Sequence, residues 1–358
     1  IMTIQNALPT GSIIDDYEIT GVLGVGGFGI TYKGYDSSLD REVAIKEYLP
    51  SSIAVRRPFD QTVSASCDSN QKHYEFGLQK FLDEARVLAK FHVPNIVGVN
   101  RFLERNGTAY LIMDYEDGEV LFQHIKRRQI LTEKMLLDIF LPVLEGLKAI
   151  HMKSYLHRDI KPSNIYLAKN QVPKLIDFGA ARVAWNERSR TMTQMLTPGY
   201  APFEQYQSHG KQGPWTDLYA LGATIYLVVT GKKPLESTER VAALQDGQED
   251  PMPLASDIAF SQYHSEFLQT IDWMLKVRPV DRPQTALQVI QRFEKVKLQI
   301  ESAPRMVKEA SKMAQRVCQQ KRVPSPRRYR IDKEQILMNS TVALLVVAGF
   351  MVLVRMVS

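Results

Sequence analysis

The sequence predicts an α+β protein of two lobes, a small β-rich N-terminal lobe followed by a larger helical one. Three observations carry the prediction. Residues 17–48 alternate apolar and polar positions around a glycine run, and two further alternating segments follow at 96–103 and 108–115. From about residue 118 the apolar spacing becomes helical and stays so over long stretches. The composition, 44% hydrophobic and 23% charged over 358 residues, is enough to bury a large core and excludes a disordered, collagenous or low-complexity chain.

In chain order, YEITGVLGVGGFGITYK at 17–33 reads as strand, glycine turn and strand, and REVAIKEY at 41–48 as a third strand. Leu49 to Gln71 holds Pro50, Pro58 and many serines, and reads as an inserted loop or small hairpin. Within 72–90, Phe81, Leu82, Ala85, Leu88 and Ala89 share a helical face. Asn106-Gly107 is a tight-turn dipeptide between the next two strands. Residues 133–153, with Leu136, Leu137, Phe140, Leu144 and Leu147, form a long helix, and 216–230, 260–276 and 284–299 behave alike. This organisation predicts an extension at 1–16 and one catalytic unit at 17–293. The unit divides into an N-lobe of 17–115, insertion 49–71 included, and a C-lobe of 116–293.

The formal net charge is +6, but residues 294–358 carry 13 basic against 5 acidic residues, leaving 32 against 34 in residues 1–293. A nearly neutral body argues against nucleic acid as a partner. Residues 336–354, ILMNSTVALLVVAGFMVLV, contain no charge, and as a helix would span about 28 Å, near the thickness of a bilayer core. A basic segment, 294–335, precedes them. The pattern predicts a transmembrane helix at 336–354, a lipid bilayer as partner, and a single-pass protein of the cell inner (plasma) membrane with its catalytic unit cytoplasmic. Met306, Ala310, Met313 and Val317 suggest a short seam for self-association. Ile1 ahead of Met2, and the four residues after the expected span, leave both ends of the chain open. Cys67 and Cys318 form no zinc or disulfide pattern.

Chemistry concentrates in four places. Gly24, Gly26, Gly27 and Gly29 lie between two strands, where missing Cβ atoms let backbone N–H groups close on phosphate oxygens. Because a strand follows, and no Gly-Lys-Ser/Thr, the run is neither a dinucleotide fingerprint nor a Walker loop. In Val43-Ala44-Ile45-Lys46, alternation places Ala44 and Lys46 on one face, so that Ala44 covers a flat ring while Lys46 reaches phosphate. Glu84 on the 72–90 helix is the best carboxylate partner for that ammonium. His157-Arg158-Asp159-Ile160-Lys161-Pro162-Ser163-Asn164 is followed by Asp177-Phe178-Gly179. Together these supply a base (Asp159), a cation for the moving phosphoryl group (Lys161) and oxygen ligands for Mg²⁺ (Asn164, Asp177), the needs of phosphoryl transfer from ATP.

This ordered set resembles the eukaryotic-type (Hanks-type) Ser/Thr protein kinase family over residues 17–293, and the phrase TPGYAPFEQ at 197–205 together with the basic, apolar tail is similar to bacterial membrane-anchored members. The resemblance implies Met113 as the residue at the back of the nucleotide pocket, with Asp114 and Glu116 offering backbone groups to adenine. It implies an internal stack of Leu88, Val99, His157 and Phe178, Asp217 bracing the backbone near Arg158, and a Glu204–Arg282 ion pair. Lys161 and Thr197 imply Ser/Thr acceptors on protein substrates. Three features depart from the family pattern: Pro202-Phe203-Glu204 for the usual Ala-Pro-Glu, Thr31 and Tyr166 where branched aliphatic residues usually enclose adenine, and the long insertion, expected to influence the helix that carries Glu84.

Ser189, Thr191 and Thr193 lie in a loop where autophosphorylation would supply an anion for Arg158. Competing readings are a pseudokinase scaffold, which would normally lack one of Lys46, Asp159, Asn164 or Asp177, and a small-molecule kinase, which would lack Lys161 in this context.

Overall fold

The computed structural model describes residues 6–127, 131–169, 172–178, 196–207 and 209–302. Its N-terminal part is a six-stranded antiparallel sheet in the order β1-β2-β3-β4-β8-β7. The strands are β1 (Ile13–Ile14), β2 (Tyr17–Gly26), β3 (Gly29–Asp36), β4 (Arg41–Tyr48), β7 (Val99–Arg105) and β8 (Thr108–Asp114). The insertion forms its own two-stranded hairpin, β5 (Ala54–Arg56) and β6 (Val63–Ala65), and runs directly into α1 (Asp68–Leu88).

Alternation along β4 gives the sheet two different faces. Lys46 and Tyr48 share one face, where Tyr48 stacks on Tyr74 and Phe81 of α1 with ring centroids 5.4 and 5.7 Å apart. Val43, Ile45 and Glu47 share the other, and all three are fully buried. Gly77 lets α1 lie against this sheet, since a Cβ there would collide with the Tyr48 hydroxyl.

The C-terminal part begins with β9 (Gly118–Val120), which pairs with β10 (Ile165–Ala168); β10 pairs on its other side with β11 (Pro173–Leu175), completing a small sheet beneath the cleft. The helices are α2 (Leu121–Arg127), α3 (Glu133–Met152), α4 (Pro214–Thr230), α5 (Ser237–Gln245), α6 (Ala255–Ile258), α7 (Ser265–Met274) and α8 (286–302). Thr132 caps α3 by accepting from the Met135 N–H, and the apolar stripe from Leu136 to Leu147 faces inward. α4 is apolar around most of its circumference and forms the centre of this lobe. The stretch expected as one helix at 260–276 is helical only over α7, with residues 260–264 in turn and loop, and the short α6 precedes it.

The expectation of a membrane span is corrected. Among the described residues no helix is long and apolar enough to cross a membrane. With that finding the transmembrane helix, the bilayer as partner and the inner-membrane, single-pass placement are withdrawn. The stretch 336–354, the basic segment from 303 to 335 and the self-association seam lie outside the described residues.

Candidate active site

The upper wall of the cleft is built from β2, β3, β4 and α1. Gly27 and Phe28 make the turn between β2 and β3, with Gly26 paired to Gly29. A Cβ on Gly29 would collide with the Glu47 carbonyl oxygen, so β3 approaches β4 this closely only with glycine. Gly24 and Gly27 have nothing within 4 Å of an added Cβ, which leaves open space beside their backbone. Lys46 Nζ stands 2.9 Å from Asp177 Oδ1 and 3.9 Å from Glu84 Oε1. Burial alone would lower the Lys46 ammonium, but the two carboxylates outweigh it and hold it above its ordinary value. Asp177 is correspondingly held low: desolvation pushes it up, and the Lys46 charge pulls it down further. Glu84 itself is 3% exposed.

At the back, Ala44 and Met113 are buried and pair across β4 and β8. The Asp114 N–H donates to the Gly98 carbonyl at 3.0 Å, and the Glu116 carbonyl accepts from the Tyr166 hydroxyl at 2.8 Å. Two of the backbone groups expected to face a nucleobase are therefore already bonded inside the protein. Lys174 pairs with the Glu116 carboxylate.

The lower wall is the loop from His157 to Asn164. Asp159 Oδ2 accepts from Lys161 Nζ at 2.9 Å and from Asn164 Nδ2 at 2.9 Å, while Oδ1 accepts from Thr197 Oγ1 at 3.1 Å. Asn164 Nδ2 also donates to the Asp159 carbonyl at 2.8 Å, turning its side-chain oxygen away from that contact. Arg158 (φ 67°) and Asp177 (φ 58°) adopt left-handed backbone conformations, at a cost of order 1–3 kcal/mol each that surrounding bonds must offset.

Asp217 provides much of that compensation. Its carboxylate is fully buried and accepts from the His157 N–H at 2.9 Å, the Arg158 N–H at 2.8 Å and His151 Nε2 at 2.8 Å. Burial pushes Asp217 up, but these donors and the nearby imidazoles hold it below the carboxylate range. The Asp159 N–H donates to His157 Nδ1 and His157 Nε2 donates to the Ile176 carbonyl, so the loop uses the neutral Nε2–H tautomer. The His157 and Phe178 rings lie 4.5 Å apart; Leu88 is buried and Val99 half-buried. Below the loop, Arg282 Nη1 stands 2.7 Å from Glu204 Oε1, with both side chains almost wholly buried.

The structure thus brings Lys46, Glu84, Asp159, Lys161, Asn164, Asp177 and Thr197 to one cleft, and places Asp217, Glu204 and Arg282 beneath it. Ser189, Thr191, Thr193 and Gly179 lie outside the described residues. Sequence reasoning missed three supports: His151 on Asp217, Gln205 Nε2 donating to the Arg158 carbonyl at 3.0 Å, and Thr216 Oγ1 donating to Glu204 at 3.0 Å. None has a local signal, because each partner comes from a distant segment.

Among the described residues no group of three or more His, Cys, Asp or Glu could hold a metal ion. One carboxylate and one carboxamide, Asp177 and Asn164, nevertheless suit Mg²⁺, an ion that takes much of its shell from phosphate and water. An ammonium, two carboxylates and a carboxamide gathered in one cleft are the kinds of group that nucleotide-dependent phosphoryl transfer needs.

Comparison with known proteins narrows the class. Residues 17–293 match the protein kinase domain family. The chain is 31% identical over 274 residues to the human serine/threonine-protein kinase Nek5, covering 75% of this chain and 35% of that protein. It is 30% identical over 231 residues to serine/threonine-protein kinase PknA of Nostoc sp., covering 62% and 38%. The solved PpkA-294 apo form superposes with a TM-score of 0.74 at 37% identity, covering 80% of this chain and 99% of that one. The Mycobacterium tuberculosis PknI kinase domain, at 22% identity and a TM-score of 0.60 over 81% and 99%, shares the fold. The chain belongs to the protein kinase family and carries a eukaryotic-type Ser/Thr protein kinase domain, an enzyme domain that takes phosphate from ATP. It spans 35% to 60% of the length of curated relatives it matches.

Proposed function

We propose that this chain transfers the γ-phosphoryl group of Mg-ATP to Ser and Thr hydroxyls of protein substrates, using one domain over 17–293 whose lobes meet near 115–116. The observation that carries the reading is the convergence on Asp159 of Lys161, Asn164 and Thr197, opposite the Lys46–Asp177–Glu84 group. Asp159 orients the acceptor hydroxyl and accepts its proton as the oxygen attacks the γ-phosphorus, while the bond to the β–γ bridging oxygen breaks. Lys161 neutralises charge on the moving oxygens, and Lys46, positioned by Glu84, holds the nucleotide phosphates. Asn164 and Asp177 would hold Mg²⁺, which supplies charge neutralisation at the phosphates when bound. Ala44, Met113 and Tyr166 enclose the nucleobase, and the glycine loop covers the phosphates.

The Thr197 hydroxyl, 3.1 Å from Asp159 and 3.4 Å from Lys161, occupies the same polar corner an acceptor hydroxyl must enter, which supports Ser/Thr selectivity. A bacterial origin is supported by the 197–205 phrase and the bacterial relatives. Activation by autophosphorylation within 180–197 is supported by Arg158: its buried Nε makes no hydrogen bond among the described residues.

The test is incubation of the full chain with Mg-ATP and a protein acceptor, beside Asp159→Ala and Lys46→Ala, with phosphosite mapping. Phosphate on Ser or Thr that vanishes in both variants is the expected result. Transfer only to a small alcohol, or nucleotide binding without transfer, overturns it. Finding 180–197 unmodified in active protein refutes the activation step alone.

A further inference from the structure

The insertion bonds to the glycine turn, to β4 and to the turn between β7 and β8, and leads into α1. As the chain leaves β4, the Leu49 N–H donates to the Phe28 carbonyl at 3.0 Å and the Ser51 N–H to the Gly27 carbonyl at 3.2 Å, which ties it to the tip of the glycine loop. Arg56, at the end of β5, is buried. Its Nη2 stands 2.5 Å from Glu47 Oε2, its Nη1 donates to the Gln61 carbonyl at 2.6 Å, and its Nε donates to the Asn6 carbonyl at 2.9 Å. The Tyr32 hydroxyl donates to the same Glu47 oxygen at 2.7 Å. On β6, the Val63 N–H donates to the Asn106 carbonyl at 2.7 Å, beside the point where Tyr74 of α1 donates to the Gly107 carbonyl at 2.8 Å. Gly107 (φ 69°) serves both the turn and this contact, because a Cβ there would collide with the Val63 carbonyl.

Two features give this arrangement a consequence for turnover. Glu47 directly follows Lys46 on β4, and the hairpin is the chain that joins β4 to α1, so its seat sets where the helix carrying Glu84 begins. A buried ion pair is costly to desolvate and tolerates few geometries, whereas an apolar contact can slide, so this pair specifies register. The Lys46–Glu84 separation of 3.9 Å lies at the outer edge of an ion pair, where a small displacement of α1 matters.

We infer that Arg56 is a positioning residue for phosphoryl transfer: through Glu47 it locks the inserted hairpin to β4 and so sets α1 where Glu84 meets Lys46. Arg56 acts only through these neighbours. The inference rests on the kinase reading above, and the experiment separates the two.

Steady-state kcat and KM for ATP are measured on the full chain, on Arg56→Lys and on Glu84→Ala, and on the double variant, with rates expressed per folded molecule. Arg56→Lys keeps the charge but loses the fork that serves three acceptors. The expected result is a loss in kcat/KM of about tenfold in the native background and less than about twofold when Glu84 is already absent, because the two residues act in series. Amide exchange over 68–80 rises in Arg56→Lys while that of α3 stays constant. A role confined to stability would lower the melting temperature and leave turnover per folded molecule unchanged. That result, or an equal loss in both backgrounds, overturns the inference. Should Arg56→Lys fail to fold, Glu47→Gln, which keeps the side-chain shape, is read by the same criteria. No turnover by the unaltered chain sinks the kinase reading instead.

Discussion

On the lower wall of the cleft, the Asp217 carboxylate accepts from two consecutive backbone N–H groups and an imidazole, all at 2.8–2.9 Å and sealed from water. On the upper wall, the Lys46 ammonium meets carboxylates contributed by two other segments, one at 2.9 Å and the other at 3.9 Å. The first arrangement fixes the backbone itself, so the catalytic loop cannot rearrange without leaving buried groups unpaired. The second joins the tips of long side chains, which rotate at small cost. The lower wall should therefore report damage as lost stability, and the upper wall as lost rate.

The largest effect tests the residue both walls serve. Asp159→Asn should lower kcat by roughly 10²–10⁴-fold, the range of general-base removal, with an intact thermal transition. Phosphate transfer to a protein acceptor measures it. Next, Arg282→Met leaves Glu204 buried without its cation and should cost about 3–5 kcal/mol of folding stability, read as a lowered urea midpoint. A small loss there would break the claim that the lower lobe is braced from below. Glu84→Gln should show the opposite profile, about a tenfold loss in kcat/KM, equivalent to about 1.4 kcal/mol, with a nearly unchanged urea midpoint.

A pH series sharpens the contrast without touching the upper wall. Burial holds His157 below its ordinary value, against the pull of Asp217 and Asp159. The unfolded chain takes up a proton near pH 6.5 that the folded chain resists. The stability from neutral His157 is thus complete above about pH 6.5 and declines as pH falls. Asp217, held low, adds a further loss only below about pH 4. The urea midpoint should fall from pH 7 to 5, and His157→Phe should flatten that slope. The smallest effect belongs to Tyr166→Phe, which removes one hydrogen bond to the Glu116 carbonyl, about 1 kcal/mol, and should raise KM for ATP a few-fold in steady-state assays.

The strands at 41–48 and the Asn106-Gly107 turn are legible in the sequence because alternation and a turn dipeptide are local signals. β9 and β11, three residues each, offer no periodicity to read. The late start of α7, at Ser265 rather than near 260, is equally hidden. Tyr263 donates to the Leu131 carbonyl and the His264 N–H to Glu133, partners more than 130 positions away. Site residues such as Asp159 and Asn164 are legible because their chemistry is packed into eight consecutive positions. Arg56 is not, since its partners come from three segments, although one trace exists: Glu47 interrupts the otherwise apolar face of Val43 and Ile45.

The short stretch ahead of β2 bears on how this enzyme should be prepared. The Gly11 N–H donates to the Ile19 carbonyl, the Ile19 N–H to that of Ser12, and the Leu8 N–H to the Tyr32 hydroxyl, while Asn6 accepts from Arg56. A gene trimmed to start at position 17, where the family match begins, would strip that hem from the outer sheet and open a charged interior to solvent. The physical edge of the domain lies upstream of its evolutionary one, and expression plasmids should respect it.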